Sequence, residues 1–487
     1  MRCLIPFATA AAALVPALAH ADTLQVGPGK PYATIAAGVA AAASGDTIEI
    51  DAGDYVDDIV TIDSKDLTLR GVGDARAHLS ATGQIGNGKG IIVIGGTSNI
   101  VVEHLEFSGA TVADENGAGI RMQGASLVVD DCHFHDNQNG ILAGGDAPYT
   151  IEVSHSEFDH NGNPGSGQEH NVYVSGDATS FTFQGNYTHH SYSGHTFKSR
   201  AQVNYVLYNR IMDEADGTGS YLIDLPQGGL SYVIGNLIEK GPAAENTGTV
   251  INYKGEGQTN AQLRLFVVNN TIVNDNGSTP AFVRIYAADD VVLRNNLFVG
   301  QGTPIVLEPG AAPTIVDEGN LQTDMPGLVD QAGYDYHLVD GSPAIDAGVA
   351  AGADGDYDLT PTMHYVHPAG LEPRPVVDAM DIGAYEFGMG PPAGETGGDT
   401  SGGADSGSSG DSAATADGSA SSGDGGSDST ITAGSAATVG EDSSGGSAGA
   451  GDDDGGGCGC RSTPRGAAAA WWIGLAAVLV RRRRTTA

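Results

Sequence analysis

LFVVNNTI (265–272) and VVLRNNLF (291–298) share one pattern: an alternating apolar run, a turn, an asparagine, and a large apolar residue two positions further on. The unit returns as NIVVEHLEF (99–107), SLVVDDCHF (126–134), TIEVSHSEF (150–158), YVLYNRI (205–211) and YVIGNLI (232–238). Apolar residues at every second position mark strands, because successive side chains of a strand point to opposite faces. A helical solenoid would need a spacing near 3.6 and would not be dominated by Val, Ile and Gly. The anchors are Phe107, Phe134, Phe158, Ile211, Ile238, Ile272 and Phe298, with Thr188 in the slot of the weakest copy, and they lie 23 to 34 residues apart. That irregular period predicts a β-solenoid with loops of varied length on one side.

Two positions before the anchors stand Asn186, Asn209, Asn236, Asn270 and Asn296. At ~4.8 Å per coil such asparagines can hydrogen-bond to one another along a ladder. Cys132 occupies the same slot and reads as a buried small residue. A second strand follows each anchor: GIRM (119–122), GILA (140–143), NVYV (171–174), HTFK (195–198), YLID (221–224), VINY (250–253) and FVRI (282–285). The Ala-rich stretch from Tyr32 to Ala43 predicts a cap, since an open first coil would expose backbone donors and apolar side chains.

The chain has 487 residues, with 60 Asp and Glu against 22 Lys and Arg, a net charge of −38. This excludes a nucleic-acid binder working through a broad basic surface. Residues 1–21 read as a secretory signal: Arg2, an apolar stretch from Leu4 to Leu18, and Ala19-His20-Ala21 before Asp22. Residues 388–457 are nearly all Gly, Ser, Ala, Asp and Thr and read as a disordered, self-repelling acidic spacer. Residues 458–487 hold Cys458 and Cys460, an apolar run over 466–480 and four arginines at 481–484, the order of a membrane-held segment. The run is short for a full span, which takes ~20 residues. Four cysteines placed this way support neither a disulfide scaffold nor a Cys-rich zinc site. The body, 22–387, carries 15 Lys and Arg against 48 Asp and Glu, a net −33. An exported monomer, anchored at the cell surface through its C-terminal segment or secreted, is the expectation.

The repeats, the asparagine ladder and the motifs SPAIDAG (342–348) and DIGAYE (381–386) resemble the pectate-lyase-like superfamily over roughly residues 24–387. The resemblance implies an all-β, right-handed parallel β-helix with an N-terminal capping helix, the two motifs marking its end. The terminal Cys, apolar run and Arg cluster resemble the sorting tail of myxobacterial surface proteins over about thirty residues. Most members of the superfamily act on or bind acidic polysaccharides, and many are lyases. There a base removes the proton α to a uronate carboxylate, and cations or Ca²⁺ stabilise the resulting enolate-like charge. The Asp set that binds calcium in pectate lyases has no clear match here, nor do the paired Asp motifs of the pectin-hydrolysing branch.

On so acidic a body a cluster of cations is informative. If Phe197 points inward, Thr196, Lys198 and Arg200 point outward, beside Asn171 and Tyr173 of the preceding coil, Asp224 of the next, then Asn252, Lys254 and Arg284. Lys198 is the expected base, Arg200 the carboxylate neutraliser, His170 or His195 the proton donor, and Asp224 the group that orients the cations or holds Ca²⁺. Asn171, Tyr173, Asn252, Lys254 and Arg284 are the expected substrate contacts. Neither a cofactor nor a metal site is assigned from the sequence, Ca²⁺ being the ion that this chemistry admits. His133, His135, His155, His160, His170, His189, His190 and His195 fall on several faces by period-two counting. Asp354-Gly355-Asp356-Tyr357-Asp358 resembles half a calcium loop, but Tyr365 stands where an EF-hand needs Glu. C5-epimerisation shares the lyase's first step, and a glycoside hydrolase would draw on Asp213, Asp216 and Asp224. A non-catalytic carbohydrate-binding or structural surface protein is the alternative of another class.

Overall fold

The structure is a computed structural model that describes residues 21–145 and 147–389. The signal segment up to His20, the spacer from Gly390 and the C-terminal segment 458–487 lie outside the described residues. One coil shows the plan of all: strands Gly229–Ile234, Leu237–Lys240 and Thr249–Tyr253 follow one another around the axis. The first two join a 21-stranded sheet and the third a 10-stranded one. Coils pair in parallel and in step, so that Phe107, Phe134, Phe158 and Thr188 form one row. The chain is an all-β parallel β-helix.

The turn slot in each repeat has a backbone cause. His104, Asp131, His155, Tyr208, Asn269 and Asn295 all adopt φ between 47° and 55° there, and Gly185, Gly235 and Gly319 fill the same position. This left-handed bend turns the strand from the first face of the large sheet to the second. Immediately after it comes the ladder. The Nδ2 of Asn186, Asn209, Asn236, Asn270 and Asn296 each donate to the Oδ1 of the next asparagine at 2.9–3.1 Å, ending on Asn320. Cys132 and Ser156 continue the ladder upstream, the Cys132 amide donating to the Ser156 hydroxyl at 3.0 Å. Inside the coil the anchors stack, with Phe107, Phe134 and Phe158 ring centroids 4.8 Å apart and nearly parallel. Burying each such side chain stabilises the fold by about 2–3 kcal/mol.

The expected cap is a helix, Ile35–Ala41, begun by Thr34, whose hydroxyl accepts from the Ala37 amide. It lays Ile35, Gly38 and Val39 over the first coil, and a Cβ on Gly38 would meet Val26 at 2.8 Å. It is the only helix among the described residues, and no helix there is long and apolar enough to cross a membrane.

SPAIDAG and DIGAYE do more than mark the end of the coil stack. The segment from Leu328 onward runs back over the outside of the large sheet. There Tyr336, Leu338, Ile382 and Tyr385 cover Tyr187, Met212, Leu237, Val273 and Leu297. The two motifs pair with each other and with the sheet: Ile382 donates to the Ala344 carbonyl and Gly383 to that of Asn295. The half calcium loop is part of the same wrap. Asp354 accepts from Arg264 at 2.5 Å and from the Tyr232 hydroxyl at 2.8 Å, so its carboxylate fastens a hairpin to the sheet.

Asn236 accepts from the amide and side chain of Asn209 and donates to Val206 and Asn270, with none of it exposed. Asn236→Ala should therefore lower the unfolding free energy by about 2–4 kcal/mol, read as a drop in urea midpoint. A midpoint equal to wild type would show that the ladder does not hold the coils.

Candidate functional site

The small sheet carries an outward row in strict register: Tyr173, Lys198, Asp224, Asn252 and Arg284. Their inward neighbours Phe197, Ile223, Ile251 and Val283 are fully buried, which sets the direction of the alternation. The strands at Phe197–Ser199 and Ile223–Leu225 begin two residues later than their sequence suggests. The preceding residues, His195 and Tyr221, belong to the turn that leads into the sheet. Thr196 is not outward: it is fully buried and meets the Ser191 hydroxyl at 3.1 Å.

Lys198 lies at the centre. Its Nζ is 3.5 Å from Asp224 Oδ2 and 3.9 Å from Glu256 Oε1, and it sits 5.7 Å from the Tyr173 ring centroid. Arg200, just past the strand, lies over the same ring at 5.0 Å and forms a two-pronged ion pair with Glu256. Lys254 adopts φ 65°, and its Nζ donates to the Glu256 carbonyl at 2.5 Å. The structure thus brings Lys198, Arg200, Asp224 and Lys254 together, with Glu256 as the hub. Sequence reasoning missed Glu256 because it lies in an irregular loop after the strand, where no alternation fixes direction.

Asp224 is almost wholly enclosed. Burial raises its carboxyl above the ordinary range, opposed by Lys198, by the Asn252 amide donating at 2.7 Å, and by Arg200. His195 Nε2 is 3.3 Å from Asp224 Oδ2, while His195 Nδ1 accepts the Tyr221 amide proton at 3.3 Å. The ring proton therefore belongs on Nε2, facing the carboxylate. His170 stacks on His195 at 5.0 Å, and its Nδ1 accepts the His195 amide at 2.9 Å. Burial, and then neighbouring cations, hold both imidazoles well below their usual pKa, so both are neutral. Gly194 makes this stacking possible: a Cβ there would fall 1.5 Å from the Glu169 carbonyl.

Several expected roles change. Asn171 is fully buried, donating to Phe158, Thr188 and His189 in a second turn ladder, and cannot meet substrate. His170 is 4% exposed and spends its lone pair on a backbone amide, so it positions His195 rather than donating a proton to a sugar. His195 in turn positions Asp224. Asn252 lies in the row but is buried against Asp224, which makes it a support rather than a surface contact. Arg284 keeps its place, paired with Glu308 and bonded to Thr249. Of the other carboxylates, Asp216 is exposed beside His190 on another face, and Asp213 is fully buried. Behind the row, Lys240 is also fully enclosed, its Nζ donating to the Ser220 carbonyl at 2.9 Å.

No family model matches the chain. A probable pectin lyase A of Aspergillus oryzae (strain ATCC 42149 / RIB 40) is 26% identical over 257 residues, which cover 48% of this chain and 63% of that enzyme. The match thus spans less than two thirds of the relative. Among solved structures, pectate lyase Pel9A is similar over 76% of this chain and 97% of its own, with a TM-score of 0.44 at 11% identity. A pectin methylesterase from Aspergillus niger covers 70% and 94%, with a TM-score of 0.31 at 14% identity. The coil architecture and the pectin lyase relative support the pectate-lyase-like β-helix that the repeats resemble.

Burial pushes the Asp213 carboxyl up to about 7, against the pull of Lys240 and the Gly241 amide. A folded pKa above the unfolded value gives stability that is full below about pH 4 and lost as pH rises through about 7. Asp213→Asn should match wild type near pH 4 and exceed it by roughly 2–4 kcal/mol above pH 7. Thermal melts across that range check this, and parallel pH profiles for the two proteins would contradict it.

Proposed function

We propose that this chain is an exported, surface-anchored β-helix that acts on a uronate-containing polysaccharide by β-elimination. The observation that carries the reading is the row Tyr173–Lys198–Asp224–Asn252–Arg284 with Arg200 and Lys254 at its side. It gathers four of the body's fifteen cations along one face. Their spacing by coils, ~4.8 Å, suits a chain of sugars laid along the stack. The pectin lyase relative points to the same class of substrate.

The difficult step is loss of the uronate C5 proton, which needs the sugar's carboxylate neutralised as charge develops. Arg200 has the planar fork for that carboxylate and rests on Tyr173. Glu256 now occupies the fork, so a bound uronate would take over its place. Lys198, one coil from Asp224, receives the proton at Nζ after releasing its own to solvent. The electron pair forms the new C4–C5 double bond as the C4–O4 bond breaks, and the departing oxygen is protonated by water. Asp224, oriented by His195 and Asn252, steers the Lys198 amine. The C-terminal segment would anchor the protein at the cell surface.

One observation favours a second reading. Asp224, with its raised pKa, and Glu256 lie against a single ammonium, close enough to serve as the acid and base of a glycoside hydrolase. The test separates the two. The full chain is incubated with polygalacturonate, pectin, alginate and a glycosaminoglycan while ultraviolet absorbance and reducing ends are followed. We expect an unsaturated, absorbing product from at least one polymer, reduced at least a hundredfold in Lys198→Ala. New reducing ends without absorbance would establish the hydrolase instead. Binding with neither signal would leave a carbohydrate-binding protein.

A further inference from the structure

The second face of the large sheet changes character along the axis. From Tyr187 onward its outward residues are mostly apolar and lie under the C-terminal wrap. On the earlier coils the same rows carry histidines and carboxylates instead: His78, Glu106, His133 and Glu157 in one, His135 and Asp159 in the next. Counting by twos scattered the histidines of this region over several faces. The structure gathers His78, His133, His135, His160, His189 and His190 on this one, leaves His155 in the αL bend, and stacks His170 and His195 beside the Lys198 row.

We propose that His78, Glu106 and His135 form a binding site for a divalent transition-metal ion of the Zn²⁺ type. The three residues come from three successive coils. Glu106 Oε1 lies 3.7 Å from His78 Nε2 and 3.0 Å from His135 Nε2, and the three ligand atoms all fall within 4.8 Å of one another. Tetrahedral Zn²⁺ with bonds of about 2.0–2.1 Å places its ligand atoms about 3.3 Å apart, so small side-chain adjustments suffice. The outer nitrogen of His135 is held as a metal-ligating imidazole needs, its Nδ1 hydrogen-bonded to Asp136 at 2.8 Å, while His78 Nδ1 lies 3.4 Å from the exposed carboxylate of Asp54. Asp136 thus orients the His135 ring so that Nε2 faces Glu106, and the His78 Nε2 is turned to Ser108 and Glu106. The Ser108 hydroxyl stands 2.7 Å from His78 Nε2, and all three ligands are 20–29% exposed, leaving a coordination position open to water.

Two neighbouring triads continue the stripe but are less suited. In His133–Glu157–Asp159 the Asp159 carboxylate is already shared between His133 and His160. In His189–His190–Glu214 the carboxylate is taken by Tyr187 and Arg210. The ordinary alternative for His78, Glu106 and His135 is a set of ion pairs on an acidic surface, which would bind no metal. Histidine selects Zn²⁺, Co²⁺ or Ni²⁺ over Ca²⁺, which prefers all-oxygen sites. An ion held there would tie three coils together at the end of the stack that the C-terminal wrap leaves open.

The experiment titrates Zn²⁺ and Co²⁺ into metal-stripped full-length chain, following heat, the visible Co²⁺ spectrum and the melting temperature. Wild type should bind with micromolar or tighter affinity, show Co²⁺ bands of a four- or five-coordinate nitrogen and oxygen site, and melt several degrees higher with Zn²⁺. His78→Ala/His135→Ala should lose one bound ion per chain, the Co²⁺ bands and the melting shift. His133→Ala should keep all three, and each variant's metal-free circular dichroism should match wild type. A double variant that binds as many ions per chain as wild type, or no binding by wild type, would overturn the proposal.

Discussion

Buried side-chain hydrogen bonds between asparagines of successive coils fix the register on which everything else rests. A parallel sheet buried on its inner face tolerates no slip, because a shift of one residue would turn every inward side chain outward. Apolar packing alone specifies the alternation but not which residue faces which. The ladder from Asn186 to Asn320 supplies that, since each amide must both donate to and accept from its neighbour or remain unsatisfied in the core. With the coils locked, the row containing Lys198 and Asp224 on the opposite sheet is locked as well.

The acidic character of the body shapes its chemistry. Lys198, Arg200 and Arg284 each have a carboxylate partner; that of Arg200 is the loop residue Glu256, which Lys198 also approaches while it pairs with Asp224 of the sheet. A polyanionic substrate would therefore exchange one carboxylate for another instead of filling a bare cationic groove. Such an exchange costs little desolvation and favours a specific fit over general attraction to polyanions. On the far side the same excess of acid is met by histidines, but only where the C-terminal wrap does not cover the sheet.

Much of this was legible in the sequence. The alternation, the asparagine slots and the anchors predict the coils, and the outward positions of Tyr173, Lys198, Asp224 and Arg284 follow from period two within each strand. The failures fall where that rule stops. Asn171 precedes its strand and sits in a turn, so counting back from Val172 gives the wrong side. Glu256 lies in a loop. The shared face of His78, Glu106 and His135 depends on pairing between coils whose loops differ in length, and spacing along the chain does not reveal it. Neither does the path of residues 328–387 back over the sheet, which decides which outward residues are apolar.

The central claim is that the Lys198 row is where an acidic sugar chain binds. A crystal structure of Lys198→Ala soaked with a uronate oligosaccharide tests it most directly. The account predicts sugar density running along the row from Tyr173 to Arg284, with one carboxylate in the Arg200 fork and Glu256 displaced. Oligosaccharide bound on another face, with the Arg200–Glu256 pair intact, would contradict it.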